Sequence, residues 1–345
     1  MRKRVIGDRR GDIVKSLNKV LNGLRDVGTV QNIFVRVGSG ENIIYDACFG
    51  NVNDETLFDM ASVTKIMATT SLALIAMDKG LIRLDTPVNE FFETKKPITV
   101  KNLLTHTIGI GHKNLCADGN SYPNIAEKIL EIPQDSEIGN HVIYSCPGFI
   151  LLGKILEKAF GDRLDKLFNE YVASTLGLTG TSFLPVKTDN CVNSNPEKED
   201  KGIVNDYNCR FLGGVAGNAG LFSNVNDVTK YVRCLLKRGE PIIRKETFEL
   251  ATTNYTPDME ESRGLGFVYV DKRYDQTGGL FADGAIGHCG HTGQSVLLDY
   301  RTGLYVIVLS DATVSTIKKY GYERYDEVTA MRKTIHSAIK TDLFG

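Results

Sequence analysis

The chain has almost no net charge: across 345 residues, 41 Lys and Arg stand against 42 Asp and Glu, a formal −1. That balance offers no general attraction to nucleic acid or to an anionic membrane surface. Long apolar runs are missing as well. The longest, inside residues 67–77, falls short of the roughly 20 residues needed to span a bilayer. Met1-Arg2-Lys3-Arg4 looks like the basic start of a secretory signal, but no apolar segment follows before Asp12. The expectation is a cytoplasmic protein without a membrane span. Cys-x-x-Cys pairs are also absent, although there are seven cysteines, at 48, 116, 146, 191, 209, 234 and 289. An odd count at wide spacings excludes a disulfide framework and a structural zinc site. His288, Cys289 and His291 lie close together, but alternate strand residues face opposite ways. They cannot all converge on one metal, so neither metal nor organic cofactor is expected. No internal repeat or low-complexity segment occurs.

What remains is the composition of an ordinary globular protein, 42% hydrophobic and 24% charged. The length exceeds what one hydrophobic core usually serves, so two subdomains are expected. Residues 10–27 carry Ile13, Leu17, Val20, Leu21 and Leu24 at helical spacing. Runs at 32–37 and 42–49 flank Gly38-Ser39-Gly40, a hairpin pattern. From 81 to 250 the pattern is mostly helical, with helices over 99–105, 148–160 and 226–237, and with 187–205 as a polar surface loop. Strand-like runs return at 266–270, 285–289, 295–299 and 304–310, before a helix over 325–343. The fold expected is α+β: an antiparallel sheet flanked by helices and built from both termini, with an inserted, mostly helical domain. Residues 1–80 with 255–345 would form the sheet domain and 81–254 the helical one, with the active site in the cleft between them.

Ser62-Val63-Thr64-Lys65 carries the chemistry. Residues i and i+3 share a helix face, so the Lys65 amine can reach the Ser62 hydroxyl. A serine needs a neighbouring base to become a nucleophile. Residues 67–77 are apolar on nearly every face, which marks a buried helix, and a lysine buried there is expected to lose basicity and act as that base. Two further segments stand out. Tyr144-Ser145-Cys146-Pro147-Gly148 is either a turn with a tyrosine packed on the core or a phenol that relays protons, its pKa lowered by a nearby lysine. Gly287-His288-Cys289-Gly290-His291-Thr292-Gly293 is either a glycine-rich strand edge or a strand whose missing side chains let a substrate lie against the backbone.

Together these segments resemble the serine β-lactamase and penicillin-binding protein superfamily. The similarity is to its branch of class C β-lactamases, D-Ala-D-Ala carboxypeptidases and β-lactamase-like esterases, which carries Ser-x-x-Lys, Tyr-x-Asn and Lys/His-x-Gly in this order. The stretches 58–65, 81–88, 103–110, 213–223 and 287–299 resemble family segments, so the likeness runs from about residue 30 to 310. It implies a β-lactamase/transpeptidase-like fold, with Ser62 as the acyl-accepting nucleophile and with Lys65 and Tyr144 sharing its proton transfers. It also implies an oxyanion hole from the backbone amides of Ser62 and His291, and substrate contacts from His288, Gly290, His291 and Cys146. His288 would bind a substrate carboxylate or steady Tyr144. His106 matches a structural segment and is read as a core residue.

Three departures bear on the substrate. Cys146 stands where the family most often has Asn, and a thiol replaces neither the donor nor the acceptor of an amide well. His288 stands where Lys is usual, and its grip on a carboxylate should fade between about pH 6 and 8. His291 occupies the oxyanion position, where the backbone amide survives the change. The implied function is a serine hydrolase forming an acyl-enzyme with a small-molecule or short-peptide substrate. Esterase or D-amino-acid peptidase activity is expected over efficient β-lactam hydrolysis. Two alternatives stay open: a penicillin-binding sensor that acylates but turns over poorly, and a catalytically lapsed scaffold.

Overall fold

Two runs rich in β-branched and aromatic residues, β1 (Ile33–Ser39) and β2 (Asn42–Phe49), pair antiparallel as a hairpin. Such residues suit a pleated, half-buried surface. At Gly38, where the register shifts, a Cβ would sit 2.2 Å from the Tyr305 ring. The computed structural model describes residues 14–345, apart from 117, 118, 121, 198, 200, 322, 323 and 325. The basic tetrad at 1–4 and the expected start of the first helix, residues 10–13, lie outside the described residues. So does residue 325, the expected start of the last helix.

Three short strands come next along the chain: β3 (Phe58–Asp59), β4 (Ser182–Phe183) and β5 (Leu221–Ser223), forming a small sheet in the order β3-β5-β4. Then follow β6 (Val268–Tyr269), β7 (Ile286–Cys289), β8 (Ser295–Leu298) and β9 (Leu304–Ser310). These join the first hairpin in a six-stranded sheet of order β2-β1-β9-β8-β7-β6, antiparallel throughout. Both ends of the chain thus build one α+β sheet, as the sequence predicts.

Alternation along the strands sorts the core into two layers. Val35, Val37, Leu297, Val306 and Val308 face the helices Lys15–Val27 and Asp326–Phe344. Phe34, Val296, Leu298, Ile307 and Leu309 face the other way, into a larger cluster shared with the helical middle of the chain. At the centre of that cluster the chain from Lys65 to Thr70 forms a π-helical turn, followed by the α-helix Ser71–Asp78. Every residue from 65 to 76 is buried, and Gly80 ends the helix in the left-handed region at φ 72°. The helix Cys146–Phe160 packs beside it, started by Ser145, whose Oγ accepts from the Gly148 amide at 3.0 Å.

One expectation fails. Residues 187–205 do not form a simple surface loop: Cys191, Val192, Ser194 and Asn195 are buried. Polar groups there bond the chain to itself and to the core: Asn205 Nδ2 donates to Ser194 O at 2.6 Å, and the Asn205 backbone N–H donates to Asp59 Oδ2 at 2.6 Å. Satisfying backbone groups in this way lets a polar segment pack inward. No helix among the described residues is long and apolar enough to cross a membrane.

Candidate active site

The β3 strand leads to Ser62 through a strained turn. Ala61 adopts φ 46°, a region non-glycine residues rarely occupy. Its amide is held by Asp59 Oδ1 at 2.8 Å, and the Met60 amide is held by Leu221 O on β5 at 2.9 Å. Ser62 then sits in a 3₁₀ turn, Ala61–Val63, directly before the π-helical turn that begins with Lys65. Burial raises the Asp59 carboxyl to about 6, against the pull of the Asn205 and Ala61 amides.

Ser62 Oγ receives two hydrogen bonds, from Lys65 Nζ at 3.0 Å and from the Tyr144 phenol at 2.7 Å. Lys65 is completely buried, and Nζ also donates to Asn218 O at 3.0 Å and lies 3.5 Å from Cys146 Sγ. The expected loss of basicity does not occur. Burial does push the amine down, but Cys146 and Tyr144 beside it more than offset this, and the Lys65 pKa is raised. Tyr144 also departs from expectation. Burial raises the phenol and outweighs the lowering by Lys65, so Tyr144 keeps its proton at neutral pH.

Tyr144 is held from several sides. His106 lies 4.6 Å from it, ring centre to ring centre, and His288 lies 6.1 Å away. His106 is fully buried with φ 57°, and its Nδ1 accepts from the Ser145 amide at 3.0 Å, which places its own proton on Nε2. It steadies the segment that carries Tyr144, in keeping with a core role.

His288 is held as a neutral imidazole. It is 3% exposed, and burial, with the Lys65 and Arg263 charges, holds its pKa well below the usual histidine value. Nδ1 donates to Cys289 O at 2.7 Å, since a carbonyl only accepts. Nε2 is thereby an acceptor, and it has no protein partner. The glycine of this strand motif has its own explanation. A Cβ on Gly290 would meet Met60 O at 2.7 Å, so its missing side chain lets the chain just after β7 pack against the turn before Ser62. His291 follows on the exposed side, its carbonyl accepting from Thr313 Oγ1.

Ser62, Tyr144, Cys146, His288, Gly290 and His291 all line one cavity of about 680 Å³. The structure therefore brings every expected site residue together, with Lys65 just beneath the floor. It adds two that sequence reasoning missed. Arg263 lines the same cavity, 4% exposed, with its guanidinium 5.8 Å from the Tyr144 ring centre. Nη2 pairs with Glu261, while Nε and Nη1 have no protein partner. Its only signal in the sequence is a lone cation directly before the apolar run Gly264-Leu265-Gly266-Phe267-Val268. His112 is the other: it lines the cavity together with Cys146, which raises the imidazole pKa, and nothing in the pattern around it marks it out. Among the described residues no group of three His, Cys, Asp or Glu side chains is arranged to hold a metal.

Comparison with known proteins agrees with this geometry. The Beta-lactamase family profile matches residues 17–329. The chain belongs to that family. Membership makes it a serine hydrolase by class. Among curated family members it is 27% identical over 308 residues to a putative D-alanyl-D-alanine carboxypeptidase of Escherichia coli K12, covering 76% of this chain and 70% of the relative. It is 25% identical over 315 residues to the esterase EstB of Burkholderia gladioli, covering 75% and 78%. A solved class C β-lactamase superposes with a TM-score of 0.77 at 18% identity over 99% of both chains, which supports the fold.

Proposed function

We propose that the protein hydrolyses an ester or a short-peptide amide through an acyl-enzyme on Ser62, at the cleft between a sheet domain (1–80 with 255–345) and a helical domain (81–254). The observation that carries this reading is the pair of hydrogen bonds from Lys65 and Tyr144 onto one serine oxygen at a strained turn in a cavity. Two donors aimed at Oγ stabilise the negative charge that it carries once its proton has left and before its bond to the carbonyl carbon forms. The backbone amides of Ser62 and His291 are assigned to the developing oxyanion. Tyr144, a phenol at neutral pH, supplies the proton to the leaving group. Any carboxylate on the substrate meets Arg263, the buried cation with N–H groups to spare, while neutral His288 accepts a hydrogen bond through Nε2.

Ser62→Ala tests the reading against p-nitrophenyl acetate and butyrate, D-Ala-D-Ala peptides and β-lactams. Activity and fluorophosphonate labelling should both vanish; full activity in the variant would refute the proposal. A second reading rests on Cys146 at the family's Asn position: acylation by penicillins with poor release. Labelling by a fluorescent penicillin without nitrocefin turnover would favour it. The intact hydrogen bonding around Ser62 speaks against a lapsed scaffold, a reading that failed fluorophosphonate labelling of the wild type would restore.

A further inference from the structure

Among the ionisable groups of the cavity with no place in the reaction so far, Cys146 adjoins the lysine. Its Sγ lies 3.5 Å from Lys65 Nζ, which also reaches Ser62 Oγ at 3.0 Å. The same ammonium donates to Asn218 O, a backbone carbonyl that only accepts. Three acceptors around one Nζ are what a charged lysine requires. A charged lysine, however, has no lone pair with which to take the serine proton. Some neighbour must be able to relieve Lys65 of a proton, and the groups touching it narrow the choice. Asn218 O cannot, and Tyr144 already holds its own proton. The remaining contact is the thiol.

We propose that Cys146 is the terminal proton acceptor of the reaction, with Lys65 as the relay between it and Ser62. In the resting site the pair is ammonium and thiolate. One proton passes from Nζ to Sγ, leaving a neutral amine and a thiol. The freed lone pair on Nζ takes the Ser62 proton as Oγ bonds the carbonyl carbon and the carbonyl π electrons move onto oxygen. Lys65 is then an ammonium again, Cys146 a thiol, and the only new negative charge is the tetrahedral oxyanion. On collapse Tyr144 protonates the leaving group. Its proton is replaced through Lys65 from the Cys146 thiol, which restores the thiolate. No heavy atom has to move, because Sγ, Nζ and Oγ are already in line of contact.

The surroundings of Cys146 suit this duty. It is the first residue of the helix Cys146–Phe160, where the positive end of the helix dipole favours an anion. Around it are the Lys65 ammonium, in contact, and the His112 imidazole, which lines the same cavity and is itself pushed toward the cation. Burial and the Asp206 carboxylate oppose ionisation. The balance of these effects lowers the thiol pKa. The usual Asn of this motif is unable to take a proton, so the exchange to Cys changes the chemistry of the lysine as well as substrate contact.

The inference rests on Ser62 as nucleophile, but its main test does not need turnover. In Ser62→Ala, the absorbance of thiolate at 240 nm, less that of Ser62→Ala/Cys146→Ser, should titrate with a midpoint below the roughly 8.5 of a free thiol. A midpoint at the free-thiol value or above overturns the proposal, whatever Ser62→Ala does to activity. Should the double variant fail to fold, the pH dependence of iodoacetamide labelling of the Cys146 peptide in Ser62→Ala gives the same midpoint and is judged in the same way. In the active enzyme, Cys146→Ser should lower kcat by about 100-fold at pH 7 with little change in KM, the scale of a lost proton-transfer partner, and displace the acidic limb of the kcat profile. An unchanged kcat and limb would refute the relay.

Discussion

Asp59 offers the most direct check on the strained turn before the nucleophile. Its side chain is 2% exposed, with Oδ1 accepting from the Ala61 amide at 2.8 Å and Oδ2 from the Asn205 amide at 2.6 Å. Burial lifts the carboxyl from 3.8 to about 6. The folded protein therefore holds this proton more tightly than the unfolded chain does. The stability it contributes is fully present below pH 3.8 and is lost as the pH rises through about 6. At 1.36 kcal/mol per pH unit, that loss amounts to about 3 kcal/mol. Asparagine has nothing to ionise, so Asp59→Asn does not share it. The variant does lose one acceptor, a fixed cost of about 1–3 kcal/mol, but this cost does not vary with pH. Urea unfolding followed by circular dichroism at pH 4, 5, 6 and 7 should show the variant gaining about 2.4 kcal/mol on the wild type across the series, since part of the loss has already occurred at pH 4. A difference that stays flat with pH would refute the assignment of Asp59 as a buried, reluctantly ionised carboxyl. The same variant should have lower kcat, because one of the two amides that fix the turn loses its acceptor.

Tyr144→Phe removes the proton donor while leaving the ring on His106, so kcat should fall by about 100-fold with thermal stability nearly unchanged, as read by ester hydrolysis and melting temperature. Arg263→Gln should raise KM by about tenfold or more for substrates bearing a carboxylate while sparing neutral p-nitrophenyl esters, measured side by side. Because His288 is buried and neutral, affinity for carboxylate substrates should show no histidine-like fall between about pH 6 and 8, testable by competition binding to Ser62→Ala. Tyr231 is fully buried and donates to Ile66 O at 2.7 Å inside the π-helical turn that carries Lys65. Tyr231→Phe should cost about 1 kcal/mol in urea unfolding and lower kcat more than it changes KM.

Much of this protein could be read directly from residue order, because the interactions concerned are local. The Ser62 and Lys65 contact follows from i,i+3 geometry, and the 3.0 Å distance observed agrees with it. Hairpin spacing, strand alternation and the all-round apolar helix predict an antiparallel α+β sheet closed by both ends of the chain. Quoted motifs in a consistent order point to the family. Charge states were a different matter. Lys65 keeps its proton because Cys146, 81 positions away, lies against it. His288 is neutral because folding buries it beside two cations. Cys191, Val192, Ser194 and Asn195 turn inward because polar groups of their stretch find partners, as the Asn205 backbone N–H does at Asp59, 146 positions away. Arg263 becomes a cavity residue through its neighbours and not through any motif. The sequence by itself determined which chemical groups this protein has to work with and how the nearest of them are spaced. Only the tertiary structure decided which of them are charged, since desolvation and Coulomb interaction depend on distances in space that the order of residues does not specify.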